Sequence, residues 1–206
     1  VLIDQINKSS KKYEINNSKD KISVALFTTA FGGFNSNNPT ESHKKFLLLA
    51  QEIIANFSNV NILFKPKGNF KIYQTNDYTS SLTKNLSNLK NFNIIDNFIS
   101  SNSILKASDV VISMPFASSG VEAMCFGAKS FYVDSANIYK NSYFDNFERL
   151  ICHSNESALE NLEYWIKADK QKVSLIYKKI FHDMGLESTD RATEIIRDKI
   201  IHNVLH

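Results

Sequence analysis

The chain has 206 residues, of which 43% are hydrophobic and 22% are charged, and its formal net charge is +3. This composition is typical of a globular protein. It excludes disordered and collagen-like chains, and no apolar run is long enough to cross a bilayer. The basic residues form no cluster in the sequence, which argues against nucleic-acid binding.

Short apolar segments alternate with helical segments along the chain. Residues 1–21 are polar and predict a lead-in or linker. The apolar runs predict six strands, which are Ile22–Phe27, Asn61–Phe64, Phe92–Ile95, Asp109–Ser113, Lys129–Val133 and Arg149–Cys152. Helical signals predict helices beginning near Thr40, Ser80, Ser103, Gly120 and Glu156, and amphipathic spacing returns at Ala192–Ile201. Because proline lacks an N–H group, Pro66 predicts a turn directly after the second strand.

Strands that are apolar throughout and alternate with helices are typical of a parallel sheet covered on both faces. We therefore predict an α/β fold, a doubly wound, Rossmann-like parallel sheet with helices on both faces and further helices at the C-terminus. Residues 22–206 are expected to form one such domain. In these sheets ligands bind beyond the carboxyl ends of the strands. Candidate site residues are therefore sought in the loops 28–34, 65–69, 96–97, 114–120 and 134–137.

The loop after the fourth predicted strand carries the strongest candidate site. Ser118 or Ser119 can cap the helix that follows, and Gly120 would let a ligand approach the backbone closely. The free N–H groups of the first helical turn would suit a phosphate, and Glu122 could accept hydrogen bonds from ribose hydroxyls. The same residues also suit a helix start with no ligand, so the pattern by itself leaves both interpretations open.

Two lysines and one histidine complete the set of candidate side chains. Lys65 and Lys67 lie on either side of Pro66 and would present cations to a phosphate or carboxylate, although two solvated lysines in a turn remain the alternative. His43, near a helix start, is a candidate for acid–base chemistry. The histidines and the two cysteines lack metal-ligand spacing, so we expect no metal cofactor. The cysteine usage indicates a reducing, cytoplasmic setting.

Four segments together resemble the C-terminal, nucleotide-sugar-binding domain of GT-B glycosyltransferases. The resemblance is to bacterial enzymes of surface or capsular polysaccharide assembly. The segments are ASDVVIS at 107–113, SSGVEA at 118–123, GAKSFYVD at 127–134, and Lys65-Pro66-Lys67-Gly68 in place of the usual Lys-Pro-His-Pro. The sequence at 183–200 is similar to the closing turn and helix of that family.

The resemblance implies a function and a set of binding residues. Ser118, Ser119 and Gly120 would bind the phosphate of a nucleotide-sugar donor, Lys65 and Lys67 would balance its charge, and Glu122 would bind hydroxyls. The acceptor would be a carbohydrate or glycolipid. It would be held by an acceptor domain upstream of Val1, which often carries the catalytic base, so no catalytic residue is predicted here. Such enzymes work in the cytoplasm, at the inner face of the membrane.

Two other functions remain open at this point. A nucleotide-sugar epimerase or hydrolase on the same architecture would need an acid–base pair. Its candidates in this sequence are Asp96, Glu122, Asp134 and His43. A non-catalytic nucleotide- or sugar-binding module would need only the binding residues.

Overall fold

A computed structural model describes residues 21–31, 39–115 and 117–183 of the chain. Its centre is a six-stranded sheet in which every pair of neighbouring strands is parallel. The strands are β1 (Ile22–Ala30), β2 (Val60–Lys67), β3 (Phe92–Ile94), β4 (Val110–Ser113), β5 (Lys129–Val133) and β6 (Ile151–Cys152). Their order is β3-β2-β1-β4-β5-β6, so the direction of winding reverses between β1 and β4. The predicted doubly wound, Rossmann-like fold is confirmed.

Seven α-helices and one 3-10 helix, Tyr143–Asn146, are present in the described part of the chain. The α-helices are α1 (Pro39–Asn56), α2 (Lys71–Thr75), α3 (Ser80–Ser87), α4 (Ser101–Lys106), α5 (Ser118–Cys125), α6 (Asn155–Lys167) and α7 (Lys170–Asp183). Helix α1 packs against α3 and α6, whereas α4 packs against α5, so two groups of helices cover the sheet. Gly127, at a φ of 70°, follows the end of α5 as the sequence predicts, since glycine adopts this conformation without strain.

The core explains why the strands are apolar throughout. On one face of the sheet, Ala25, Leu63 and Val111 pack with Ile104 of α4 and Ala123 of α5. Neighbouring strand residues point to the opposite face, because successive side chains alternate along a strand. They are just as deeply buried, as the 0% exposure of Leu26, Ile62 and Ile112 shows.

The turn predicted at Pro66 is wrong, because β2 continues through it to Lys67. The last residue pair between β2 and β3 joins Phe64 and Ile94, so Pro66 lies beyond the reach of β3. On the other side, the pairing of β2 with β1 changes register between Phe27 and Ala30. Pro66 therefore sits where the sheet requires no N–H group from it.

The polar stretch between β2 and β3 holds two helices, of which the sequence predicted only α3. Helix α2 is short and is anchored by Tyr73, which is buried. The chain divides into two compact units, Val1–Ala168 and Asp169–His206, and α7 is the described helix of the second. The lead-in at 1–21 lies almost wholly outside the described residues, as do the helical spacing at 192–201 and nearly all of the segment 183–200. The single domain predicted for 22–206 stays a prediction.

Within the described ranges, no helix combines the length and the apolar character that crossing a bilayer requires.

Candidate functional site

A cavity of about 400 Å³ opens at the carboxyl edge of the sheet, where β1 and β4 lie side by side and the winding reverses. Such a switch point is where ligands bind in open parallel sheets. The cavity is lined by Phe27, Thr28, Lys65, Pro66, Lys67, Gly68, Asn97, Ser101, Ala117, Ser118 and Ser119. Four of the six predicted binding residues, Lys65, Lys67, Ser118 and Ser119, are therefore brought together around one space.

Lys65 is the buried cation of the cavity. Its side chain is only 8% exposed, and its Nζ donates to the carbonyl oxygen of Asp96 at 2.6 Å. Burial lowers the pKa of Lys65, and the charge of Asp96 opposes that effect in part. Lys67, two residues further along β2, is exposed, and its backbone N–H donates to Oγ1 of Thr28 at 3.0 Å. The two lysines thus differ in burial and in screening by solvent.

The start of α5 forms the facing wall, but neither serine caps it. The cap residue is Ala117, which makes no side-chain hydrogen bond to the helix, so the predicted serine cap is wrong. Ser119 is buried, and its Oγ lies 3.2 Å from Oγ of Ser113 at the end of β4. Ser118 is exposed at the cavity. The Gly120 N–H already donates to the carbonyl oxygen of Ala117 at 3.1 Å, which leaves the N–H groups of the serines as the candidate donors.

Gly120 and Glu122 are not among the described residues that line the cavity. Gly120 is buried against the ring of Tyr132. Because α5 begins at Ser118 and not near Gly120 as the sequence predicts, Glu122 lies in its second turn and not in its first. Burial raises the pKa of Cys125, and the charge of Glu122 raises it further. Burial also raises the pKa of Tyr132; a hydrogen bond with the backbone of Val121 lowers it in part, and the charge of Glu122 adds a smaller increase. Direct binding by Gly120 and Glu122 stays a prediction.

The acid–base candidates are not gathered at the cavity. His43 is 1% exposed, and its Nδ1 lies 2.6 Å from the hydroxyl oxygen of Tyr73. Burial lowers the pKa of His43 to about 4. Asp134 is also buried, and its carboxylate accepts hydrogen bonds from the N–H groups of Ile138 and Tyr139. None of Asp96, Glu122, Asp134 and His43 is among the described residues that line the cavity.

The chain matches the family described as polysaccharide biosynthesis PFTS motif protein over residues 9–163, which is well over half of its length. The chain belongs to this family. Three of the four letters of the PFTS motif recur in the sequence Pro115-Phe116-Ala117-Ser118, of which Ala117 and Ser118 line the cavity. Among curated proteins, none matches the chain.

Solved structures share the fold of this PFTS family member. The C-terminal domain of the glycosyl transferase LpcC from Francisella tularensis superposes with a TM-score of 0.55 at 13% identity, covering 82% of this chain and 89% of that domain. Anabaena HepE, in complex with UDP and glucose, superposes with a TM-score of 0.54 at 14% identity, covering 85% of this chain and 45% of the HepE chain. A putative UDP-N-acetylglucosamine 2-epimerase from Listeria monocytogenes superposes with a TM-score of 0.56 at 12% identity, covering 82% of this chain and 43% of the epimerase chain.

These likenesses confirm the predicted doubly wound, Rossmann-like fold, which the C-terminal domain of the glycosyl transferase LpcC also has. The chain spans under half the length of the HepE and epimerase chains. Because a transferase and an epimerase share this fold, the fold does not choose between them.

The sequence singled out the lysines and serines but not Thr28, Asn97 and Ser101. Thr28 and Asn97 fall within the loops that the strand-end rule selects, and a threonine at the end of an apolar strand is the signal that could have identified the first. Groups of three or more histidine, cysteine, aspartate or glutamate residues that could hold a metal do not occur in the described ranges. The expectation of no metal cofactor stays a prediction.

Proposed function

We propose that this chain is the donor-binding domain of a polysaccharide glycosyltransferase, and that its cavity holds the phosphate groups of a nucleotide-sugar. The observation that carries the proposal is the presence of Lys65, Lys67 and the start of α5 around one cavity at the switch point of the sheet. The described lining contains two lysines and no acidic side chain. Such a lining attracts an anion and repels a cation.

Lys65 has donors to spare for a ligand. An ammonium group carries three N–H donors, and one of them is used by the carbonyl oxygen of Asp96. Two remain for phosphate oxygens. Burial makes the charge on Lys65 costly in the empty cavity, whereas an anion beside it favours the charged form. Part of the binding free energy of a phosphate would therefore come from relieving this cost.

The same groups suit the chemistry of sugar transfer. The bond between the anomeric carbon and a phosphate oxygen breaks, the nucleotide leaves with the electron pair, and an acceptor hydroxyl bonds to the sugar after giving its proton to a base. Lys65, Lys67 and the N–H groups of Ser118 and Ser119 would stabilise the charge on the leaving phosphate. We propose that the base and the carbohydrate or glycolipid acceptor belong to a separate acceptor domain, and that the reaction takes place at the cytoplasmic face of the membrane.

Nucleotide binding tests this proposal directly. UDP, GDP, CMP and dTDP would be titrated into the protein while its thermal unfolding is followed. A nucleotide present at about 100 times its dissociation constant should stabilise the fold by about 2.7 kcal/mol. Lys67→Met should weaken binding, while Lys90→Met, which removes an exposed lysine away from the cavity, should not. If none of the nucleotides stabilises the protein, donor binding is ruled out.

Turnover without an acceptor separates the transferase from the epimerase or hydrolase. The protein would be incubated with a nucleotide-sugar that it binds, and the products would be followed by NMR. We expect the donor to stay intact, because no acid–base pair lines the described cavity. Conversion to a second sugar isomer, or release of free sugar, would favour the alternative.

A further inference from the structure

Helix α7 carries a basic surface that faces solvent. The helix runs from Lys170 to Asp183 and contains four lysines, and Asp183, at its last position, is its only acidic residue. All four lysines are exposed. Three other residues of the helix, Val173, Tyr177 and Ile180, are buried. The apolar side of α7 is therefore covered, and its lysine-rich side is open to solvent.

An exposed leucine lies in the middle of this basic surface. Successive residues of an α-helix are turned by about 100°, so residues three or four positions apart share a face. This spacing places Lys178 and Lys179 next to Leu175 in one direction along the helix and Lys172 in the other. Leu175 is 67% exposed, and among the large hydrophobic side chains of the described residues only Phe98 is more exposed. We call Lys172, Leu175, Lys178 and Lys179 the basic face of α7.

The stability of the helix does not explain its lysines. The N-terminal end of a helix carries a partial positive charge, so Lys170 and Lys172, in the first turn, lie at the unfavourable end. Asp169, directly before the helix, accepts the backbone N–H of Lys172 at 2.8 Å. Lys178 has no acidic residue three or four positions away, where a carboxylate of the same helix could pair with it. A negatively charged partner would offset these unfavourable charges.

The residue types of the basic face favour a lipid surface over other anionic partners. Protein interfaces are enriched in arginine and depleted in lysine, and α7 contains no arginine. A nucleic acid offers phosphates but no apolar layer beneath them for Leu175. An anionic bilayer offers both, because its headgroups attract lysines and the layer below them accepts an apolar side chain. Lysine side chains are long enough to keep their charge among the headgroups meanwhile.

We propose that the basic face of α7 docks on a bilayer that contains anionic lipids, with Lys178 and Lys179 among the headgroups and Leu175 in the layer beneath them. The inference goes beyond the proposed function, because it concerns the second compact unit of the chain and does not depend on what the cavity binds. It names a surface that would bring the proposed transfer reaction to the membrane. A few lysines and one leucine give weak, reversible binding and not a permanent anchor.

Sedimentation of the full chain with lipid vesicles tests the proposal. One set of vesicles would contain phosphatidylcholine alone, and the other would contain anionic phosphatidylglycerol as about one lipid in three. We expect binding to the anionic vesicles and not to the neutral ones. Because exposed charges are screened by salt, this binding should be lost at about 0.5 M salt.

Paired lysine variants show whether α7 is the surface that binds. Lys178→Gln together with Lys179→Gln should weaken binding about 25-fold, since each lysine near an anionic bilayer contributes about fivefold. Lys178→Arg together with Lys179→Arg keeps both charges and should bind as the wild type does. The matched control, Lys84→Gln together with Lys90→Gln, removes the same charge from exposed positions of the first compact unit and should also bind as the wild type does.

The role of Leu175 has a separate readout. In Leu175→Trp, the fluorescence should shift to shorter wavelength with anionic vesicles, because the indole ring leaves water for the interface. The wild type, whose Trp165 is buried, should show no such shift. Leu175→Ser should weaken vesicle binding about tenfold, since it removes the apolar group that would leave water.

The outcomes separate this inference from the proposed function. A wild type that binds no anionic vesicles, or binds neutral ones equally well, overturns the inference, and so does an equal loss in the Lys84 and Lys90 control. A dimer that Leu175→Ser dissociates, or an oligonucleotide held through Lys178 and Lys179 in place of vesicles, would assign the face to another partner and overturn it too. Nucleotide binding decides the proposed function independently, because none of these variants touches the cavity lining.

Discussion

Gly120 lies directly against the ring of Tyr132, so closely that a Cβ atom at position 120 would stand 2.5 Å from the Cε1 and Cζ atoms of the ring. The Tyr132 hydroxyl donates to the carbonyl oxygen of Ala117 at 3.4 Å, and Oγ of Ser130 donates to that of Gly120 at 3.2 Å. Strand β5 therefore packs against the first turn of α5 and positions it through these contacts. The absence of a side chain at position 120 serves this packing, and through it the placement of the cavity wall.

Gly120→Ala should destabilise the protein. The added methyl group has no room, and overpacking of this kind costs about 1–3 kcal/mol in the free energy of unfolding. Urea denaturation of the purified variant would measure the loss. Ser118→Ala, an exposed position in the same helix, is the matched control and should stay within about 0.5 kcal/mol of the wild type. An unchanged midpoint in Gly120→Ala would show that α5 can move away from β5 without cost.

The sheet and four of the residues that line the cavity could be predicted because their signals are local. Apolar strands such as Val110–Ser113 indicate a parallel sheet. The rule that ligands bind beyond the carboxyl ends of its strands then selects the loops that contain Lys65, Lys67, Ser118 and Ser119. The rule needs only strand ends, not the distances between loops.

The errors of the sequence analysis arise from tertiary structure. Pro66 is tolerated within β2 because β3 ends opposite Phe64. The residues around the proline do not reveal how long the neighbouring strand is. The glycine of the Ser-Ser-Gly segment suggested ligand approach, but a tyrosine twelve residues away in β5 fills that space. Likewise, nothing in the sequence links His43, Tyr73 and Thr28, which come from three separate elements.

Stability should fall as the pH is lowered, in part because of His43. Its folded-state pKa of about 4 lies below the ordinary value of 6.5, so the unfolded chain binds a proton first. The stabilisation is complete above pH 6.5 and is lost as the pH falls towards 4. In the described part of the chain, the rings of Phe31 and Tyr73 lie against His43, and a hydrogen bond with the backbone of Ala30 raises its pKa in part. Tyr73 stays neutral over this range because burial raises its pKa.

Denaturation at pH 7 and at pH 4.5 measures this effect. Between these values we expect the wild type to lose about 2 kcal/mol more than His43→Asn, whose side chain does not titrate. Equal losses in the two proteins would mean that His43 accepts a proton in the folded state as easily as in the unfolded chain.

The two cavity lysines should differ in their response to salt. Lys65→Met and Lys67→Met should each weaken UDP binding about tenfold in dilute buffer, since each removes a charge-assisted hydrogen bond. Because Lys67 is exposed, its contribution is screened and should shrink at about 0.5 M salt, while that of the buried Lys65 should persist. Calorimetry in both buffers tests this, with Lys90→Met as the control. The same salt response at both positions would contradict the assignment of Lys65 as the desolvated cation.

Phe98 is expected to contribute to nucleotide binding without contributing to stability. Its side chain is 97% exposed, and it adjoins Asn97, which lines the cavity. The backbone N–H of Phe98 donates to Oδ1 of Asp96 at 3.0 Å, which fixes the loop that carries the ring. An exposed aromatic ring beside a phosphate site offers a surface on which a base can stack.

Phe98→Ala should therefore weaken UDP binding about tenfold and leave pyrophosphate binding unchanged, because pyrophosphate has no base to stack. Its free energy of unfolding should match that of the wild type, since almost no surface of the ring is buried by folding. Tyr78→Ala removes another exposed aromatic side chain, one that does not adjoin the cavity lining, and should change neither affinity. A parallel loss of UDP and pyrophosphate affinity in Phe98→Ala would point to a disturbed loop around Asp96 instead of a lost stacking surface.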